Sequence, residues 1–164
     1  MALRVLYRGH ADTLNDLKAE EFTRQNYGAP GMTSSRITAD TPNGVLAGMV
    51  ACMDTDGVVR TVNSGSDIPV GIFASDAQGP SFENTPAIAS GKIAVFKSQG
   101  VYETDIYETR NEANTADLTY QVGDKLYPSK NGLLTKDSST NDNVVGIVTK
   151  SPGSDGWLRF DLRI

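Results

Sequence analysis

Three glycines, Gly48, Gly57 and Gly71, return 75 residues later as Gly123, Gly132 and Gly146. Other positions keep the same phase. Val58-Val59 matches Leu133-Leu134, Asp67 matches Asp142, and Val70-Gly71-Ile72-Phe73 matches Val145-Gly146-Ile147-Val148. Beyond Gly71 the register slips by an insertion near Gln78 to Ser90. After it, Gly91-Lys-Ile-Ala-Val-Phe resembles Gly156-Trp-Leu-Arg-Phe-Asp at an offset of 65. Each unit reads as strand, turn, strand, loop, Val-Gly-Ile strand, loop and Gly-led strand. A solenoid needs roughly three or more stacked units, so a long period present twice does not suit one. Two copies suit a β-barrel or sandwich built from two related halves.

The punctuation agrees with a mainly β chain. From Val45 onward, short β-branched and aromatic runs are separated by Gly, Pro, Asn, Asp and Ser. Thr55-Asp56-Gly57, Lys130-Asn131-Gly132 and Ser154-Asp155-Gly156 each end in the Asp-Gly or Asn-Gly pair that supplies the positive φ of a tight turn. In the last nine residues Leu158, Phe160, Leu162 and Ile164 alternate with Trp157, Arg159, Asp161 and Arg163, which predicts a terminal strand with one buried face.

Residues 1–44 differ in character. Leu3, Val5 and Tyr7 alternate with Arg4, Leu6 and Arg8, as in a short strand or extended arm. Asp12 or Thr13 suits an N-cap, and Leu14, Leu17 and Phe22 gather on one side of a predicted helix running to about Gln25. Its face is only half apolar, so the helix is expected to lie on a surface. Gly28 to Gly44 is rich in Gly, Pro, Ser and Thr and cannot bury enough surface to fold alone. The expected organisation is therefore an N-terminal helix and extended arm over 1–44, and a single β-domain over 45–164 with the internal repeat at about 45–100 and 118–164.

With 164 residues, 38% of them hydrophobic, one such domain can hold its core without metals or disulfides. The apolar run Val45 to Cys52 is broken by Gly48 and is far short of the roughly 20 residues of a spanning helix, so no membrane partner is expected. Residues 1–11 lack the apolar segment and cleavage site of a secretory signal, and the chain is expected to be made and used without secretion. Net charge is −5, Lys and Arg are scattered, and Arg110 is the only cation between Glu103 and Asp117. Nucleic acid, which selects clustered basic surface, is not an expected partner.

A search for chemistry finds little. His10 is the only histidine and has no partner at metal-ligand spacing. Neither a nucleophile elbow nor a phosphate-cradling glycine motif occurs. Cys52 sits in an apolar stretch and reads as a small buried hydrophobe. Asp54-Thr-Asp56-Gly57 reads as a hairpin turn, because its glycine comes too early for a calcium loop. Glu103, Asp105 and Glu108 read as a solvated strand edge or a charged contact face in preference to the paired carboxyls of a glycosidase. No catalytic, cofactor-binding or metal-ligating residues are expected. The candidate contact residues are Leu14, Leu17 and Phe22, facing a partner or the chain's own β-domain, with Tyr27, Met32 and Ile37 anchoring the arm.

Gly123-Asp-Lys-Leu-Tyr127, Asn131-Gly-Leu-Leu-Thr135, Val145-Gly-Ile-Val148 and Leu158-Arg-Phe-Asp-Leu162 together resemble the β-domain of head decoration, or capsid cement, proteins of tailed bacteriophages. The likeness covers residues 118–164, with a weaker echo in 45–100. It implies a β-tulip-like barrel or sandwich and no enzymatic activity or cofactor. It also implies a homo-oligomer, trimer or dimer, on the outer surface of a virion, where it bridges subunits of the major capsid protein. Two rival readings stand beside it: a tail, spike or head-fibre protein binding host glycans, and an enzyme of unrecognised type using acidic residues.

Overall fold

Apolar runs cut this often by Gly, Pro and Asp leave room only for short strands. The computed structural model describes residues 3–8, 13–24, 44–62, 64–78, 91–97 and 99–164. The elements among them are β1 (Leu3–Arg8), β2 (Thr13–Asp16), a 3₁₀ turn (Ala19–Thr23), β3 (Gly44–Val45), β4 (Val50–Met53), β5 (Val59–Arg60), β6 (Pro69–Phe73) and β7 (Ala77–Gln78). They continue with β8 (Lys92–Phe96), β9 (Gly100–Thr104), β10 (Lys125–Pro128), β11 (Leu134–Thr135), β12 (Gly146–Lys150) and β13 (Leu158–Leu162).

Two antiparallel sheets hold most of these strands. One has the order β1-β9-β13-β12-β10-β11, the other β2-β8-β6-β4-β5, and β3 pairs with β7 as a small ribbon. The strands related by the sequence offsets take the same places: β8-β6-β4-β5 in one sheet and β13-β12-β10-β11 in the other. Hydrogen bonds repeat with them. Gly48 N–H donates to Phe73 O and Gly123 N–H to Val148 O, while Asp54 N–H donates to Val58 O and Ser129 N–H to Leu133 O. The correspondence extends upstream of Val45. Lys18 N–H donates to Val59 O and Glu108 N–H to Leu134 O, each at 2.9 Å, and parallel bridges join Leu17 to Val59 and Tyr107 to Leu134. The corresponding loops also touch. A β-carbon on Gly65 would run into the carbonyl of Thr140, its own counterpart, and the Asn141 and Asn143 amides donate to Asp67 O at 2.8 and 3.2 Å.

The sheets share one core. Val50, Cys52, Ile72 and Phe96 of the five-stranded sheet cluster with Tyr102, Leu126, Val148, Leu158, Phe160 and Leu162 of the six-stranded sheet. Tyr102 lies between Phe96 and Phe160, with ring centroids 5.1 and 5.9 Å apart. A second cluster covers the opposite face of the five-stranded sheet, where Leu17, Val45, Leu46, Met49 and Ala77 pack with Ala51, Phe73, Ile93 and Val95. β4 is thus covered on both faces, which explains why Val50-Ala51-Cys52 shows no polar alternation. β13 alternates as its sequence predicts, with Leu158, Phe160 and Leu162 buried, although Ile164 beyond it is 37% exposed. The three predicted turns form, with φ of 85° at Gly57, 82° at Gly132 and 75° at Gly156.

Two expectations are corrected. The sheets do not close into a barrel: among the described residues β1 and β11 border one sheet, β2 and β5 the other. β5 and β11 are only two residues long and offer little backbone with which to zip the sheets shut. Nor do the described residues of the predicted helix, 13–24, form one. Thr13–Asp16 pairs with β8 in the register Thr13↔Val95 to Asp16↔Lys92, and only Ala19–Thr23 turns, as a single 3₁₀ segment. A half-apolar stripe stabilises an isolated helix weakly, whereas the edge of β8 offers a full ladder of backbone partners.

Gly71 and Gly146 explain why Val-Gly-Ile recurs. A β-carbon on Gly71 would collide with Phe96 O and lie 2.8 Å from Val95 Cγ1; on Gly146 it would lie 2.7 Å from Asp161 O. Gly71→Ala is expected to cost about 1–3 kcal/mol or more, because the obstacle is backbone. Gly57→Ala, with open space around it, is expected to cost only about 1 kcal/mol, from its positive φ. Urea unfolding of both variants checks this; equal costs would contradict the close-approach explanation.

Candidate functional site

The candidate contact residues divide. Leu17 is buried in the second core, and Phe22 packs half-buried against the same cluster, so both contact the chain's own sheet. Leu14 is held by β2 opposite Ala94. Tyr27, Met32, Ile37 and His10 lie outside the described residues. The N-terminal residues edge both sheets: β1 pairs with β9, from Leu3↔Thr104 to Arg8↔Gly100, and β2 pairs with β8.

Among the described residues of the N-terminal segment, the most accessible apolar side chains are on β1. Val5, Leu6 and Tyr7 are 48%, 46% and 63% exposed. A bulge between Val5 and Tyr7 breaks the register with β9, as is common on border strands. Beside it is an open recess of about 230 Å³ lined by Tyr7, Gln99, Gly100, Val101, Asp161, Leu162 and Arg163. Arg4 stacks over Trp157 with its guanidinium carbon 3.6 Å from the ring centroid, and Trp157 itself is buried. Strand alternation placed Val5 and Tyr7 together; it did not reveal that their face is open. Three successive apolar residues flanked by arginines were the available signal.

The second notable group is acidic. Glu103 and Glu108 are not a solvated edge, because both are buried. Glu103 lies 3.8 Å from Arg159, an ion pair on the outer face of the six-stranded sheet. Glu108 points inward, and its Oε1 accepts hydrogen bonds from Ser129 Oγ and Asn131 Nδ2, each at 2.8 Å. Burial pushes its carboxyl up to about 7, opposed by those two donors. Burial raises Glu112 as well, against the Lys130 N–H that donates to its Oε1 at 3.1 Å. With none of its surface exposed, Glu108 cannot meet a substrate unless the surrounding structure opens.

The corresponding place in the other sheet is built from opposite charges. Lys18 Nζ donates to Asp54 Oδ2 at 2.5 Å, and this bond holds the Asp54 carboxyl below the usual carboxylate range. Nearby, Arg60 grips Asp67 with two parallel bonds of 2.9 and 2.7 Å. Burial pushes the Cys52 thiol up to about 12, which leaves it without nucleophilic character near neutral pH. The described residues contain no group of three or more His, Cys, Asp or Glu that could hold a metal ion, and no described helix is long and apolar enough to cross a membrane.

Leu17→Ala is expected to destabilise the chain by about 2–5 kcal/mol, the range for a core leucine; urea unfolding with an unchanged midpoint would place Leu17 in a partner contact instead. Cys52 is expected to resist a thiol reagent at pH 8 in the native chain and to react once unfolded in urea. Rapid native labelling would contradict its burial. No family model, curated protein or solved structure matches this chain.

Proposed function

We propose that this chain is a structural virion protein that binds the outer surface of a mature phage capsid and stabilises it by bridging major capsid protein subunits, itself as a trimer or dimer. The observation that carries this reading is β1, a border strand that presents Val5, Leu6 and Tyr7 to solvent from a sheet anchored in a shared core. A run of exposed apolar residues on a fixed edge is a contact surface for another chain. Two further features support it. The motifs resembling decoration proteins fall on β10 to β13 and their turns, and a net charge of −5 is repelled by packaged DNA, which favours an outer position. Cementing requires no reaction, because a ligand that prefers the expanded shell stabilises it by mass action. The glycan-binding alternative needs several exposed aromatic rings around a groove; among the described residues Tyr7 is the one aromatic residue lining the recess beside β1, and Trp157 is buried beneath Arg4.

Co-sedimentation with expanded capsids tests the proposal. The native chain is expected to pellet with the shells and raise their melting temperature. Leu6→Asp/Tyr7→Asp is expected to bind about tenfold or more weakly while its own unfolding midpoint is unchanged. A chain that leaves expanded capsids unbound overturns the reading.

A further inference from the structure

The turn at 129–132 is a second place, besides the Asp67, Asn141 and Asn143 contact, where the two halves are tied together by hydrogen bonds. On one side, Gly132 O accepts the Val50 N–H at 2.9 Å, and Asn131 O accepts Arg24 Nη2 at 3.0 Å. On the other side the turn hangs on two carboxyl groups. Glu108 Oε1 takes both Ser129 Oγ and Asn131 Nδ2. Glu112 Oε1 takes the Lys130 N–H, and Glu112 O takes Lys130 Nζ at 3.2 Å. Each carboxyl leaves its Oε2 buried and without a hydrogen-bond partner, with 0% of Glu108 and 8% of Glu112 exposed. An ionised oxygen in such a place carries a far larger desolvation cost than a protonated one.

We propose that Glu108 and Glu112 form a proton-operated latch between the two sheets. With the carboxyls protonated, the 129–132 turn is held against Val50 and Arg24. When they release their protons to solvent, the cost of the buried charge outweighs the stronger hydrogen bonds that ionised oxygens accept from Ser129, Asn131 and Lys130, and the turn lets go. The charged and titratable surroundings fit this action. Lys130 is the cation that acts on both carboxyls. Asp137 Oδ2 accepts the Glu112 N–H at 2.8 Å and adds negative charge, while Tyr120 gives its hydroxyl to Glu108 O at 2.5 Å and stands edge-on to Tyr107. Beyond the turn, Arg24 is paired with Glu21 at 3.5 Å. Two carboxylates and Asp137 would thus share one ammonium. At the corresponding place in the other sheet, Lys18 and Asp54 are already oppositely charged at neutral pH, so only one of the two places responds there.

The direction follows from the weakened acidity of the buried carboxyl. Burial moves Glu108 from the ordinary 4.5 to about 7. The stabilisation is complete below 4.5 and is lost as pH rises through about 7. At a factor of ten per pH step, the ceiling on opening is roughly 300-fold.

Carbon-13 and nitrogen-15 NMR of the full chain between pH 4 and 9 tests the latch. The Glu108 carboxyl carbon is expected to titrate near neutrality. The Val50 amide protection factor is expected to fall between pH 5.5 and 8.5 by about 10- to 30-fold, while that of the Gly123 amide, bonded to Val148 away from the turn, stays level. Glu108→Gln, which keeps the Oε1 acceptor, is expected to remove most of the fall in Val50 protection with pH, leaving only the part that Glu112 carries. Glu112→Gln removes a like charge and is expected to shift the Val50 transition to lower pH. A Glu108 carbon titrating near 4.5, an equal loss at Gly123, or the same Val50 loss in Glu108→Gln overturns the proposal. If Glu108→Gln does not fold, the native titration and Glu112→Gln decide it.

Discussion

Neither β8-β6-β4-β5 nor β13-β12-β10-β11 can cover its own apolar face, and the fold depends on each sheet using the other as its lid. Four short strands with a bare apolar face leave that face in water, at a cost that burial against the other sheet removes. Set against each other, they enclose Phe96, Tyr102 and Phe160 in one core. The loops on which this arrangement turns are the corresponding ones, with Gly65 against Thr140 and Asp67 O held by Asn141 and Asn143. A backbone approach that close requires glycine. The N-terminal residues complete the cover by adding β1 to one sheet, β2 to the other, and Leu17 to the second core.

The repeated frame is backbone, and the differences between its two copies are side chain. The same bonds, Lys18 N–H to Val59 O and Glu108 N–H to Leu134 O, set a side chain beside the turn in each sheet. In one copy the contact is Lys18 with Asp54, an ion pair that water still reaches; in the other it is Glu108 with Ser129, closed off from water. The frame tolerates either because backbone bonds place the residue and the side chain only has to satisfy its partner. The buried version leaves an oxygen unmatched, and that is where sensitivity to protons enters.

Much of this was legible in the chain, for identifiable reasons. The 75-residue offset, the turns at Gly57, Gly132 and Gly156, and the alternation from Leu158 to Leu162 are local signals that long-range packing reinforces. The segment around Leu14 and Leu17 misled because spacings of three residues fit a helix, while β8 offered it a better set of hydrogen-bond partners. The acidic residues misled for another reason. Charge suggests solvent, but Glu103 and Glu108 lie on elements whose surroundings come from distant parts of the chain.

By itself the sequence determined the turns at Gly57, Gly132 and Gly156, the alternating strand over 158–162 and that a pattern occurs twice, since φ preferences and alternation act within a few residues. It also limited the charged chemistry available, with one histidine, one cysteine and an excess of acids. Only the tertiary structure decided that the sheets stay open among the described residues, that β4 is covered on both faces, that Val5 to Tyr7 face solvent and that Glu108 does not. Those outcomes depend on which faces meet across separations of tens of residues, and burial is a property of the meeting surfaces rather than of either segment alone.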